Sequence, residues 1–255
     1  MRARIEEALR AVGRDAEGLD LGELGALDEF HLLGRTATLS LAQLAGICSS
    51  DRVLDVGAGL GGPARLLARN YDCHVTAVDI TPEYCAIARW LNEATSLANR
   101  VDVVQADALA LPFADRTFDV IWSQHAQMNV KEKRRLYAEA RRVVKDGGRL
   151  AIWDVTAGPI QPIRFPVPWA DGPEVSFLTS QDALKKTLRK AGFEVTAWND
   201  LTERAMTSLR DSARGVGGPL GLHLFVPEMK AKRAALLMNL EEQRVGVVQA
   251  VLRAT

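Results

Sequence analysis

Apolar residues follow a helical spacing through the first 50 residues of the chain. A first helix is predicted from four apolar positions that share one helical face, Ile5, Ala8, Leu9 and Val12. The segment 28–46 predicts a loop at His31–Arg35 that is followed by a second helix. The N-terminal part of the chain is therefore predicted to form a helical layer.

From residue 52 onward, short apolar runs alternate with amphipathic stretches. The runs predict strands at Arg52–Ala58, His74–Ile80, Val101–Asp107, Phe118–Gln124 and Arg149–Thr156. The stretches between them predict helices at about 63–70, 82–97 and 131–144. The strands are almost continuously apolar, as is typical when helices cover both faces of a sheet. The alternation predicts right-handed crossovers and a parallel α/β sheet.

The pattern changes after Thr156. Five prolines between positions 159 and 173 predict an irregular segment. A helix at about 180–191 and a strand at 193–201 then restore the alternation. Residues 202–242 are predicted to be helical around the glycine-rich loop RGVGGPLG, and residues 244–254 to form a final strand.

Charge and cysteine usage narrow the class of protein. Lys plus Arg and Asp plus Glu both number 32, so the chain lacks the excess of base that a nucleic-acid binder needs. The basic run at 131–135 is predicted to be a solvated helix face. No apolar run reaches the ~20 residues that cross a bilayer, and the N-terminus carries acids unlike a secretory signal. Three cysteines without CxxC spacing predict no disulfide framework, no zinc site and a cytoplasmic location.

The segment VLDVGAGLGGPARLLA, residues 53–68, combines a strand, a glycine-rich turn and a helix start. Its glycines permit a tight turn against which a ligand can lie, and Pro63 suits the first position of the helix. Gly57, Gly59 and Gly62 satisfy the GxGxxG pattern of dinucleotide sites. The same turn would also suit the amino-acid end of S-adenosylmethionine, or a tight turn without a ligand. Asp79, at the end of the next strand, can accept hydrogen bonds from the ribose hydroxyls of either cofactor.

Four ordered segments within residues 50–156 carry a family resemblance: VLDVGAGLGG, VTAVDIT, QADALALPFADRTFDVIWSQ and RRVVKDGGRLAIWDV. With them the sequence resembles the class I S-adenosylmethionine-dependent methyltransferases. It is most similar to the branch with the ubiquinone/menaquinone, sarcosine and natural-product tailoring enzymes. The resemblance implies a Rossmann-like sheet of seven mostly parallel strands, the last antiparallel. We predict one domain over 1–255, divided into a helical cap (1–50), a cofactor-binding core (51–201), a helical insertion (202–242) and the final strand (243–255).

The resemblance also implies residues that hold S-adenosylmethionine and its product S-adenosylhomocysteine. The methionine end would be held by Asp55, Gly57, Ala58, Gly59 and Gly61. The nucleoside end would be held by Asp79 at the ribose and by Ile80, Asp107 and Ala108 at the adenine. Gln124 would lie near the sulfonium. Residues of the cap that would touch the cofactor are Phe30, His31 and Arg35.

The segment WSQHAQMNV, which follows the fourth strand, supplies the main candidate for chemistry. His125 is predicted to be a general base or a group that hydrogen-bonds the substrate; the alternative is a packed histidine. Many relatives carry a His-His or Glu-His pair further along this loop, whereas Met128 and Asn129 stand here. This departure indicates a different acceptor. Asn129 and Trp169 are predicted to contact it.

Other candidates have a structural alternative of equal or greater weight. Asp154 is a second candidate base, or else a buried structural carboxylate. His31 is a weaker candidate base, and His223 is expected to pack within its apolar stretch. Trp169, Phe165 and Phe177 would line an acceptor pocket or pack on the sheet. No cluster of residues predicts a metal site.

Methyl transfer is an in-line displacement in which orientation and exclusion of water supply much of the rate. We expect transfer to an oxygen or nitrogen of a small molecule, with specialised metabolites implied by the resemblance. One alternative is a carbon methyltransferase acting on a quinone or terpenoid. Another is a homologue that catalyses a non-methylating reaction such as cyclisation. A nicotinamide enzyme and a non-catalytic binding protein are the remaining hypotheses.

Overall fold

The computed structural model describes residues 1–15, 18–212 and 220–255. Three helices precede the first strand: α1 (Arg2–Ala11), α2 (Leu21–Asp28) and α3 (Gly34–Ala45). Helix α2 begins with a capping box, in which the side chains of Asp20 and Glu23 each accept a hydrogen bond from the backbone N–H of the other residue. The sequence prediction did not separate this helix. Because α3 begins at Gly34, Arg35 lies in its first turn and not in the predicted loop.

The described residues form one sheet of seven strands. The strands are β1 (Arg52–Val56), β2 (His74–Asp79), β3 (Val101–Gln105), β4 (Phe118–Gln124), β5 (Val144–Ala157), β6 (Phe193–Asp200) and β7 (Val245–Ala254). Their order is β3-β2-β1-β4-β5-β7-β6, and only β7 runs antiparallel to its neighbours. The predicted sheet, including its antiparallel last strand, is confirmed.

Helices cover both faces of this sheet. Those that follow β1 are α4 (Gly62–Tyr71), α5 (Pro82–Ala94), α6 (Lys133–Val143), α7 (Gln181–Lys190), α8 (Thr202–Ser212) and α9 (Met229–Glu241). One buried cluster joins α3, α4, α8 and α9 to the face that carries Trp122 and Trp153. A second cluster joins α6 and α7 to the opposite face. A third cluster packs α1 and α2 against α5, which attaches the N-terminal helices beside the core.

Several boundaries differ from the predicted ones for local reasons. β1 ends at Val56 because the next two backbone N–H groups turn towards β2 and both donate to the carbonyl of Val78. β5 begins at Val144, since that residue already pairs with Phe118 before the KDGG turn. The segment 158–180 is irregular as predicted, with one short 3-10 turn at Pro173–Val175. Residues 214–219 of the predicted glycine-rich loop lie outside the described residues.

Among the described residues, no helix is both long and apolar enough to cross a bilayer.

Candidate active site

A cavity of about 1200 Å³ opens at the carboxyl ends of β1, β2 and β4. Ligands of open α/β sheets bind at this edge. The volume exceeds the ~300–1,000 Å³ of a typical single-ligand pocket, which leaves room for two molecules. Most of the predicted site residues line it: Phe30, His31, Asp55, Gly57, Ala58, Gly59, Asp79, Ile80, Asp107, Ala108, Gln124, His125, Asn129 and Trp169. Arg35 and Gly61 do not.

The glycine turn bends tightly over the end of β2. The backbone N–H groups of Gly57 and Ala58 donate to the carbonyl of Val78 at 2.9 and 3.0 Å. Gly57 has a φ of +77°, and a Cβ there would lie 2.5 Å from the Cβ of Ala126. Gly59 has a φ of +55° and open space where its side chain would be. A glycine at 57 is therefore required by the fold, and Gly59 leaves bare backbone facing the cavity.

Asp79 connects the glycine turn to the second strand. Its Oδ2 accepts from the N–H of Gly59 at 2.9 Å, and its Oδ1 accepts from the N–H of Thr81 at 2.8 Å. A carboxylate oxygen has two lone pairs, so both oxygens can still accept a ligand hydroxyl. The neighbouring Ile80 leaves 64% of its surface exposed, which provides an apolar face at the cavity. Asp107 is exposed and accepts from the N–H of Leu109 at 2.8 Å.

Asp55 is the buried carboxylate of the site. It is 2% exposed, and its Oδ2 has no hydrogen-bond partner. Burial, together with the nearby charges of Asp79 and Glu29, raises the pKa of Asp55 to about 8. A buried carboxyl without a partner raises the free energy of the folded protein. A ligand that brings a positive charge or a hydrogen-bond donor to the cavity would lower it.

A hydrogen-bond network joins the N-terminal helices to β4. The side chains of Glu29 and His31 form a buried pair with 2.8 Å between Oε2 and Nε2. Thr38 Oγ1 lies 3.1 Å from both Glu29 Oε2 and Gln124 Oε1. Trp122 Nε1 also donates to Gln124 Oε1 at 2.9 Å. These bonds fix the amide oxygen of Gln124 and leave its Nε2, buried and unpartnered, for a ligand.

Glu29 and Thr38 were not among the predicted site residues. The only signal for Glu29 in the sequence is its position next to Phe30 and His31, which were predicted to face the cofactor. Thr38 lies in a helix and gives no local signal. Its contact with Gln124 spans 86 positions of the chain.

Arg35 and Gly61 have structural positions. The Arg35 guanidinium donates to the carbonyl of Leu21 and so joins α3 to α2. Gly61, with a φ of +80°, precedes α4, and a Cβ there would lie 3.0 Å from the guanidinium of Arg65. Neither residue lines the cavity, and their cofactor contacts stay predictions.

His125 stands directly after β4 in a left-handed backbone conformation, with a φ of +49°. Its N–H donates to the carbonyl of Trp153 at 2.8 Å. Its Nε2 is buried without a partner, and its ring centroid lies 6.1 Å from that of His31. Burial and the neighbouring His31 hold the pKa of His125 well below 6.5. The imidazole is neutral near pH 7, so it can form one hydrogen bond with a ligand but is a weak base.

Two buried charges hold the turn that carries His125. Asp154 Oδ2 accepts from the N–H groups of Ala126 and Gln127 at 3.2 and 3.1 Å. Burial raises the pKa of Asp154 to about 7, but the residue does not line the cavity. Asp154 is thus a buried carboxyl that holds the turn, which was the structural alternative to its being a second base.

Lys133 lies on the other side of the same turn. Its ammonium donates to the carbonyls of Gln127 and Val130, and to that of Phe177 at 2.8 Å. Burial lowers its pKa to about 8. The prediction that all of 131–135 is a solvated face was wrong for this one residue, since the other four are exposed.

Comparison with known proteins identifies the family. A family model described as a methyltransferase domain matches residues 54–152. The O-methyltransferase cnsE of Penicillium expansum is 31% identical over 201 residues, which are 76% of this chain and 72% of that protein. The chain belongs to the class I S-adenosylmethionine-dependent methyltransferases.

The proteins that are similar to this chain in sequence or in structure catalyse different reactions, according to their names. The sterol 24-C-methyltransferase ERG6 of Saccharomyces cerevisiae is 31% identical over 64% of this chain and 44% of its own length. The chain spans 29 to 54% of the length of the first three curated relatives. The solved structure of the [4+2]-cyclase SpnF superposes with a TM-score of 0.65 at 26% identity, over 86% of this chain and 80% of that one. The family is shared while the named reactions are not.

Part of the irregular segment 158–180 lines the cavity, namely residues 168–171, Val175 and Phe177. Trp169 and Phe177 line the cavity, whereas Phe165 does not. Asn129 Nδ2 donates to the carbonyls of Trp169 and Val175 at 2.9 and 3.0 Å. The amide N–H groups of Asn129 therefore position this segment. His223 is exposed and also lines the cavity, so the expectation that it packs was wrong.

Proposed function

We propose that this methyltransferase transfers the methyl group of S-adenosylmethionine to an oxygen or nitrogen of a small molecule, a specialised metabolite. The observation that carries the proposal is Asp55, a buried carboxyl with an unpartnered Oδ2 beside the glycine turn. S-adenosylmethionine brings an ammonium and a sulfonium and has no phosphate. The pyrophosphate of a dinucleotide would instead lie beside the Asp55 carboxyl, which offers it no positive charge.

The residues of the site fit the parts of this cofactor. Asp55 and the bare backbone of Gly59 suit the methionine end, and the Gln124 Nε2 offers it an unused donor. Asp79 suits the ribose hydroxyls, and the exposed face of Ile80 suits the adenine. The edge of the adenine is assigned to Asp107 and Ala108, and the cover of the cofactor from the N-terminal helices to Phe30 and His31.

S-adenosylmethionine supplies an activated methyl group on a positively charged sulfur that leaves readily. The contribution of the chain is then to orient the acceptor and to exclude water. The N-terminal helices, the segment 158–180 and helices α8 and α9 surround the cavity and serve that purpose. His125 Nε2 would accept a hydrogen bond from the hydroxyl or amine of the acceptor. Because its pKa is low, this bond orients the acceptor more than it stores a proton.

Two alternatives are kept because the similar proteins include them. The similarity to a sterol C-methyltransferase supports methylation of carbon, and the similarity to the cyclase SpnF supports a cyclisation without methyl transfer. Cyclisation would use the same cavity with the cofactor as a bound cation.

An isotope experiment separates these reactions. The protein is incubated with S-adenosylmethionine labelled with 13C in its methyl group and with a panel of phenols, amines, quinones and polyenes, and products are analysed by mass spectrometry and 13C NMR. We expect a labelled methyl on oxygen or nitrogen. A labelled methyl on carbon, or a consumed substrate of unchanged mass, would contradict the proposed acceptor atom or the methyl transfer itself.

A further inference from the structure

Charged side chains of both signs line the cavity. Glu29, Asp55, Asp79 and Asp107 belong to the part that is assigned above to the cationic cofactor. Other charged residues of the lining are Asp28, which pairs with Arg65, the exposed Lys131 and Glu132, Asp171, and Lys232 and Arg233 of helix α9. The cations of α9 lie outside the part assigned to the cofactor and are therefore left to the acceptor.

Lys232 is the buried cation of helix α9. Its side chain is 6% exposed, and its Nζ lies 2.7 Å from Asp171 Oδ1, whose own side chain is 80% exposed. A buried ammonium needs a partner, because removing a charge from water is costly. An exposed carboxylate loses little when its ion pair is broken, since water solvates it well. Lys232 can therefore exchange Asp171 for another anion.

Much of the cavity lining that comes from α8, α9 and the segments beside them is apolar. These lining residues include Trp169, Leu209, Val226, Met229 and Leu236. A ligand there thus meets an apolar surface with a cation held at one point. That combination recognises an amphipathic molecule with a single acidic group.

We propose that the acceptor is an apolar acid whose anionic group binds Lys232 in the place of Asp171. This inference rests on the proposed function, because it names the class of acceptor for the same cavity. A single acidic group is specified since it replaces the one carboxylate that Lys232 now binds. Arg233, on the same helix, also lines the cavity but has an interaction of its own, so the proposal does not require it as a direct partner.

Calorimetric titration with two matched probes tests the proposal. 2-Naphthoate carries the acid, and 2-naphthamide has the same shape without the charge. In the presence of S-adenosylhomocysteine, we expect the wild-type protein to bind naphthoate about tenfold tighter than naphthamide or more, as for a charge-assisted hydrogen bond. Lys232→Gln should remove that preference. Lys230→Gln, at an exposed position of the same helix, is the control and should keep it.

The Asp171→Asn variant makes the test specific. If Asp171 competes with the ligand, its loss tightens naphthoate binding and leaves naphthamide unchanged. If the pair only holds the segment 158–180 in place, Asp171→Asn and Lys232→Gln weaken both probes alike, which overturns the proposal. It is also overturned if the wild-type protein shows no preference for the acid. Should Lys232→Gln fail to fold, the Asp171→Asn variant decides alone, by tighter binding of naphthoate with unchanged binding of naphthamide or by weaker binding of both.

Binding of S-adenosylhomocysteine is recorded on the same samples. If the protein binds S-adenosylhomocysteine but shows no preference for naphthoate, the proposal of an acidic acceptor fails while the proposed function stands. Absence of that binding in the wild-type protein removes the proposed function, and the two probes titrated alone then still report whether an anion site exists at Lys232.

Discussion

Arg65 of α4 donates to Asp28 of α2 across 2.6 Å, and both side chains are buried. The same guanidinium also donates to Asn92 Oδ1 at 2.9 Å and to the carbonyl of Leu60 at 2.7 Å. A Cβ at Gly62, the first residue of α4, would lie 2.3 Å from the carbonyl oxygen of Asp28. The N-terminal helices are thus packed directly on the helix that begins after the glycine turn, which places Glu29 and His31 over the site.

The first prediction concerns this buried ion pair. Arg65→Met should lower the free energy of unfolding by about 3–5 kcal/mol, because it leaves the buried Asp28 carboxylate without its partner. Arg100→Met is the control, since Arg100 pairs with Asp72 at the surface and should cost less than about 1 kcal/mol. Urea denaturation measures both. Equal losses in the two variants would show that the Arg65 pair does not join the cap to the core.

The second prediction concerns pH and Asp55. Its pKa in the folded protein is about 8, above the ordinary 3.8, so the folded state keeps a proton that the unfolded chain has released between these values. The contribution of the Asp55 proton to the free energy of unfolding is fully present below about pH 4, and it is lost as the pH rises towards 8. Without a ligand, the wild-type protein should lose up to about 1 kcal/mol per pH unit more than Asp55→Asn between pH 5 and 7.5.

The control for Asp55 is Glu194→Gln on β6. Glu194 is exposed and lies outside the cavity, so this variant should keep the pH dependence of the wild-type protein. Urea denaturation across the pH range gives the three slopes. Parallel slopes for the wild-type protein and Asp55→Asn would mean that Asp55 is ionised in the folded state.

The third prediction concerns His125. His125→Asn keeps a side chain that tolerates the left-handed backbone, so the turn is preserved. The variant should bind S-adenosylhomocysteine within about threefold of the wild-type protein, but methyl transfer should fall by about 10²-fold, because the acceptor loses the hydrogen bond that orients it. Single-turnover transfer from tritiated S-adenosylmethionine, with an acceptor found by screening, measures the rate. Equal turnover would remove His125 from the reaction.

The fourth prediction concerns Asp79. Asp79→Ala should weaken S-adenosylhomocysteine binding at least about tenfold, through loss of hydrogen bonds from the ribose to a charged group. Asp102→Ala removes an exposed carboxylate of the neighbouring strand and should leave the affinity unchanged. Calorimetric titration compares the two. An unaltered affinity in Asp79→Ala would withdraw Asp79 from the cofactor site.

The strands and the glycine turn could be predicted because their signals are local. The apolar run of β1, the glycines after it and the carboxylate at the end of β2 all stand within residues 52–79, and the sheet topology follows from their alternation. Gly57 shows why such a pattern is informative: its φ and the approach of Ala126 both exclude a side chain.

The partners of individual side chains could not be predicted in this way. Arg65 meets Asp28 across 37 positions, and Lys133 meets the carbonyl of Phe177 across 44. Nothing in a run of five charged residues distinguishes the one that turns inward. Asp154 was a candidate base on position alone, and only its hydrogen bonds to the turn at Ala126 showed its structural part.

Calorimetric titration of the purified protein with S-adenosylhomocysteine, with NAD titrated in parallel, distinguishes the two candidate cofactors. We expect micromolar binding of S-adenosylhomocysteine and no binding of NAD, because the Asp55 carboxyl can pair with the ammonium of the methionine end and offers no positive charge to a pyrophosphate. Binding of NAD alone would contradict the proposed function, and would assign the glycine turn to a dinucleotide.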